Sequence, residues 1–195
     1  MFSLTLDDTA VLRPLEPYQA KEFLSLIEQE RNHFGEWLPW GATIDTEDKA
    51  RAFVQRLADR QASDEGRGFA IWLDREMVGG ALFRTFDVKT GSCEIGVWLA
   101  AGATGRGLMT KACNALIDWV SYDRKMFRVE WHAASNNKPS IRVAERLGMH
   151  RDGVLRQAFP YRDSRHDIEV WSLLATDPRP KYANQERTDN KRIST

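Results

Sequence analysis

The chain has 195 residues, a length that suits one domain built on a single core. Lys plus Arg equals Asp plus Glu at 28 each, so no net field draws the protein onto nucleic acid or an anionic membrane. Cys93 and Cys113 form no Cys-x-x-Cys pair and the four histidines do not cluster, which points to buried free thiols rather than a disulfide or a metal site. The first residues lack a basic region followed by an apolar core, and no apolar run could span a bilayer; a cytoplasmic protein is expected.

Taken in order, residues 9–15 alternate as a strand that ends at Arg13-Pro14. Ala20, Phe23, Leu24 and Ile27 then recur at helical spacing and predict an amphipathic helix over about 16–31. Residues 32–41 place Phe34, Trp37 and Trp40 among glycines and a proline, where aromatics either plug the core or line a pocket. Thr46 opens a second helix whose apolar face is Ala50, Phe53, Val54 and Leu57. After a polar turn at 61–68, strands at 69–73 and 77–86 read as a hairpin, and a turn at 87–92 leads to a third strand.

That third strand, 94–99, is apolar on both faces and runs into a loop of small residues, 100–107. Met109, Ala112, Cys113, Leu116, Ile117 and Val120 follow at helical spacing, so Gly105 and Gly107 sit where free amides and the positive end of a helix dipole converge. Such a strand, glycine loop and helix make an anion site. It is not a nucleotide P-loop, because Leu108 and Met109 stand where Lys and Ser or Thr are required. A dinucleotide fingerprint fits poorly, because Thr110 occupies the third glycine position.

Beyond the helix, 127–133 is a strand reached by a right-handed crossover and therefore parallel to 94–99. A short helix over 138–147 carries Ile141, Ala144 and Leu147 and ends at Gly148 as a left-handed cap. Strands at 154–159 and 168–174 form a last hairpin around 162–165, and the polar chain from 177 reads as a disordered tail. The fold class is α/β (α+β): one domain, 1–176, with a mixed, mostly antiparallel central sheet flanked by helices, then a tail, 177–195.

The stretch Gly102-x-x-Gly105-x-Gly107 resembles the pyrophosphate loop of the GCN5-related N-acetyltransferases, Gln/Arg-x-x-Gly-x-Gly/Ala, with Gly102 in place of the usual first side chain. Downstream, Asn137-x-x-Ser140 and Gly148-Met149 resemble that superfamily's second cofactor motif. Together with Trp37-Leu38-Pro39-Trp40 and Ile95-Gly96-Val97-Trp98-Leu99, these residues look most like the ribosomal-protein N-terminal acetyltransferases. The resemblance implies an acyl-CoA N-acyltransferase fold whose strands splay at the cofactor site, with acetyl-CoA as cosubstrate and no metal.

It also implies roles. The diphosphate would rest on the amides of Thr104, Gly105, Arg106, Gly107, Leu108 and Met109, with Arg106, Asn137 and Arg146 near the cofactor. The pantetheine arm would run beside Val97, Trp98 and Leu99, and the amide of Trp98 or Leu99 would polarise the thioester carbonyl. Ser140 is the candidate acid for the thiolate, since Ala144 stands where many relatives have a tyrosine, and Glu94 is the candidate base. Some relatives carry a glutamate in the last hairpin, where this chain has Phe159-Pro160-Tyr161. Trp37, Trp40 and Tyr161 would wall the acceptor site.

The expected acceptor is a protein or peptide α-amine. With a reference pKa of about 7.8 such an amine is roughly one-seventh neutral at pH 7, whereas a lysine near 10.4 is neutral in about one molecule in a few thousand. A small-molecule amine, and an acyl-CoA sensor without turnover, stay open as alternatives, as does a homodimer; nucleic acid and membrane are not expected partners.

Overall fold

The computed structural model describes residues 3–180. Its centre is an eight-stranded sheet: β1 (Leu4–Thr5), β2 (Ala10–Pro14), β3 (Gly68–Leu73), β4 (Glu76–Asp87), β5 (Ser92–Leu99), β6 (Arg128–Ala134), then β8 (Ser164–Leu174) and β7 (His150–Tyr161) at the far edge. Every neighbouring pair is antiparallel except β5 and β6, whose helical connection returns the chain in the same direction, whereas the helices between β2 and β3 return it antiparallel. The mixed, mostly antiparallel sheet agrees with the sequence. The placement of β8 between β6 and β7 does not follow from it, and both strands of that hairpin are longer than the apolar runs, since most of β7 faces solvent.

The expected first helix divides. Pro17 at the first helical position favours a 3-10 turn, Pro17–Gln19, before α1 (Ala20–Gln29). The aromatic segment holds two short helices, α2 (Arg31–Phe34) and α3 (Pro39–Thr43), instead of a plain loop. Thr46 caps α4 (Glu47–Ala62) by accepting from the Lys49 amide at 3.3 Å. After β5 come α5 (Leu108–Asp118), with a π turn at Trp119–Asp123, and α6 (Lys138–Arg146), behind which Gly148 takes φ 77° as foreseen.

Side-chain alternation distributes the core between two layers. Trp98 of β5 meets Phe23 of α1 and Trp40 of α3, and Phe23 stacks on Phe53 of α4, so these helices cover one face. On the other face Cys93 and Ile95 are buried with Leu108, Ala112, Cys113 and Ile117 of α5, while Phe83 and Phe86 of β4 pack on Trp119. Within the tail, Asp177 Oδ2 accepts from the Leu174 amide and Arg179 pairs with Asp118, so 177–180 lie against the domain rather than apart from it. The rest of the expected tail lies outside the described residues.

One irregularity positions everything that follows. β5 and β6 are paired only at Ser92 with Arg128, Cys93 with Val129, and Glu94 with Glu130. Beyond that both strands continue, to Leu99 and Ala134, without bonding to each other. A wedge-shaped gap opens in the middle of the sheet.

Candidate active site

At the wide end of the gap β5 runs into a 3-10 turn, Ala101–Ala103, and then the glycine loop. Gly105 and Gly107 take φ 78° and 74°, a left-handed conformation costly for any residue with a Cβ. A Cβ built on Gly102, Gly105 or Gly107 meets nothing within 4 Å, so the loop faces open space. The first α5 bond to this loop is from the Lys111 amide to the Gly107 carbonyl, and no side chain caps the helix. The preceding amides, at Leu108, Met109 and Thr110, have no carbonyl one turn back to bond. Leu108 and Met109 are buried, their side chains apolar, so neither side chain can serve an anion.

Two of the expected cofactor contacts are occupied internally. The Thr104 amide donates to the Ala101 carbonyl at 3.2 Å, because the 3-10 turn closes on it, and is withdrawn from the set of free amides. Asn137 Oδ1 accepts from the Ser140 amide at 3.1 Å and so acts as the cap of α6. Arg146, on the last turn of α6, donates from Nε to Thr110 Oγ1 at 3.3 Å, which fixes its stem beside the start of α5. Arg106 is exposed on the loop itself. Just past the loop Lys111 bonds Asp7 at 2.8 Å, and that hydrogen bond holds the Asp7 carboxyl down to about 2.

The narrow end of the gap carries the titratable groups. Glu94, in the last pair before the strands part, shares the face of Trp98, and only 8% of its side chain is exposed. A bulge in β4 between Phe83 and Thr85 turns Arg84 out against Gly96 on that face, with Nη1 3.3 Å from Glu94 Oε1. Oε1 itself is buried and makes no hydrogen bond. From β6, His132 brings Nδ1 to 3.8 Å from the same oxygen and Nε2 to 3.2 Å from Glu130 Oε2. Arg128 ties Glu130 to Asp152 of β7. Ser140 lies across the sheet: Trp131, on the α5 face of β6, donates from Nε1 to Ser140 Oγ at 3.0 Å. That bond occupies an acceptor site and leaves the hydroxyl proton free to donate.

The last hairpin closes over the aromatic segment. Tyr161 and Arg162 both donate to the Gly35 carbonyl at 2.6 Å, and Trp37 meets His166 edge-on at 5.9 Å between centroids. Trp40 is directed elsewhere: rings of Phe23, Phe34, Phe53 and Trp98 lie within 6.0 Å, so it plugs the core first. Next to His166 a polar cavity of about 190 Å³ is lined by Ser135, Asn136, Gln157, Arg165 and Asp167. A larger apolar hollow of about 420 Å³, between Leu12, Phe69 and Trp119, involves none of the site residues. Arg84, Glu130, His132 and His166 were not singled out from sequence. In β6, Glu130 and His132 read as ordinary alternation, and only the strand register shows them meeting Glu94.

The arrangement provides unfilled amides at a helix start, two parallel strands that part beyond Glu94 and Glu130, and a carboxylate and a hydroxyl on opposite faces of the sheet. Among the described residues no group of His, Cys, Asp and Glu could hold a metal, and no helix is long and apolar enough to cross a membrane. Comparison with known proteins points the same way. YdaF of Bacillus subtilis (strain 168), a ribosomal N-acetyltransferase candidate by name, is 29% identical over 89% of this chain and 96% of its own. The ribosomal-protein-serine acetyltransferase of Escherichia coli (strain K12) is 23% identical over 88% of this chain and 96% of its own. Among solved structures, RimL, a ribosomal L7/L12 α-N-protein acetyltransferase in complex with coenzyme A, superposes with a TM-score of 0.85 at 20% identity, over 89% of this chain and 98% of its own. The microcin C7 self-immunity acetyltransferase MccE, in complex with acetyl-CoA and AMP, gives 0.82 at 24% identity, over 87% and 94%. Residues 10–150 match the acetyltransferase (GNAT) domain family, and with that match the chain belongs to the GNAT acetyltransferases, enzymes that use acetyl-CoA.

Proposed function

We propose that the protein acetylates the α-amine of a protein or peptide N-terminus, by direct attack on acetyl-CoA in a ternary complex. The observation that carries this is the gap between β5 and β6, with open amides at its wide end and Glu94 at its root. The amides of Gly105 to Met109 hold the diphosphate, Val97 to Leu99 flank the pantetheine arm as a missing strand would, and a main-chain amide there polarises the thioester carbonyl. Glu94 receives the acceptor on the aromatic face, and Ser140 supplies a proton to the thiolate from the other. Trp37 and Tyr161 frame the entry through the bridge at Gly35. Relatives named for ribosomal proteins support a protein acceptor, and RimL, named as an α-N-protein acetyltransferase, supports its α-amine.

The test is thiol release from acetyl-CoA with two acceptor peptides of matched sequence, one with a free α-amine and a blocked lysine, the other reversed. Faster turnover of the α-amine is expected. A clear preference for the ε-amine would overturn the choice of acceptor, and no turnover with either, in a protein that binds acetyl-CoA, would favour a sensor.

A further inference from the structure

His132 has the geometry of a base, and its two neighbours decide which nitrogen does the work. Nε2 lies 3.2 Å from Glu130 Oε2, and an ionised carboxylate only accepts, so the ring donates from Nε2 and its neutral form carries the lone pair on Nδ1. Nδ1 in turn lies 3.8 Å from Glu94 Oε1, an oxygen that is buried and lacks a hydrogen bond. Two acceptors thus face each other with no donor between them, at the residue pair where the sheet splits. Arg84 offers its charge to the same oxygen from β4 without the alignment of a hydrogen bond. Among the described residues Glu130 on β6 is bonded to Arg128, which also bonds Asp152 on β7, and β8 presents Val170 opposite His132.

We propose that the missing donor is the acceptor ammonium, and that His132, held by Glu130, takes its proton while Glu94 holds its charge. This rests on the acetyltransferase reading above and deepens it, moving the base from Glu94 to the imidazole. The protons balance. The ammonium gives one to Nδ1; the neutral amine forms the C–N bond to the thioester carbonyl. The C–S bond breaks as a second proton passes from nitrogen to sulfur, directly or through Ser140, and the third stays on the amide. His132, 28% exposed, returns its proton to solvent. Glu130 is a positioning residue, since it acts through the ring.

The experiment compares the pH dependence of kcat/KM for wild type, His132→Asn and Glu130→Gln, using α-amine peptides and ε-amine peptides, with acetyl-CoA affinity measured for each variant. At pH 7, His132→Asn should lose roughly 10²- to 10³-fold, within the range of general-base catalysis, with acetyl-CoA affinity unchanged. The loss should shrink as pH rises and the acceptor deprotonates itself, and it should be larger for the ε-amine. Glu130→Gln should displace the pH profile with a smaller loss, an effect that a purely structural role would not produce. Wild-type turnover with an unchanged His132→Asn profile would overturn the base assignment alone. Acetyl-CoA binding without transfer to either peptide by the wild type would overturn the acceptor reading, and this proposal with it.

Discussion

Replacing Gly107 by alanine separates the cost of the loop's shape from its use. At φ 74° a Cβ costs about 1–2 kcal/mol in the left-handed conformation, and since nothing stands within 4 Å of the added methyl there is no further clash. For a chain of this size each kcal/mol lowers Tm by roughly 2–4 °C, so a fall of about 2–8 °C is expected. Binding should suffer more. The methyl occupies the space through which a phosphate reaches the amides, and one amide bond to a charged acceptor is worth about 1.5–3 kcal/mol. With about 1.4 kcal/mol per tenfold, CoA affinity should drop between about tenfold and somewhat over a hundredfold. Calorimetric titration with CoA and with pantetheine, which lacks the diphosphate, isolates the effect. CoA should weaken and pantetheine should not; Gly102→Ala, outside the left-handed region and equally free of neighbours, should leave stability unchanged. Equal weakening of both ligands, or of neither, would refute the loop's assigned role.

Other expectations follow from the same coordinates. Trp40→Ala removes a ring packed on Phe23, Phe53 and Trp98 and should cost about 3 kcal/mol by denaturant titration, as expected of a core plug; a loss confined to acceptor KM would make Trp40 a binding residue instead. The Asp7 carboxyl lies below its unfolded value, so the bond to Lys111 stabilises fully above about pH 4 and is lost as pH falls towards about 2. Lys111→Met should accordingly cost under about 1 kcal/mol at neutral pH, given a partly exposed pair, and the difference from wild type should close as acid is added. Burial pushes the thiols of Cys93 and Cys113 up to about 12, so a thiol reagent at pH 8 should find neither in the native protein and both after unfolding.

Much of this was legible in the sequence where one physical signal dominated. The α5 periodicity, the glycines at 105 and 107 and the left-handed Gly148 behind α6 each need only local chemistry to be read, and the strands from 69 to 99 announce themselves by apolar runs between turns. What the sequence hid depends on partners far along the chain. β1 is two exposed residues with no pattern, β7 is exposed along most of its length, and β8 takes the edge of β6 opposite the split, a choice of partner that no local pattern marks. The free amide expected at Thr104 vanished into a turn that small residues make easy. His132 and Glu130 alternate as any half-buried strand would, and the bulge at Arg84 has no marker; their meeting with Glu94 is a product of register.

Acetyl transfer as proposed requires that amides bared ahead of α5 bind the diphosphate while the acyl arm enters the gap between β5 and β6. Amide NMR shifts, recorded as CoA and then pantetheine are titrated into the protein, test it most directly. CoA should move Gly105, Arg106, Gly107 and Leu108 together with Val97 to Leu99, and pantetheine should move the β5 residues alone. Shifts centred on the apolar hollow beside Trp119, with the glycine loop silent, would contradict it.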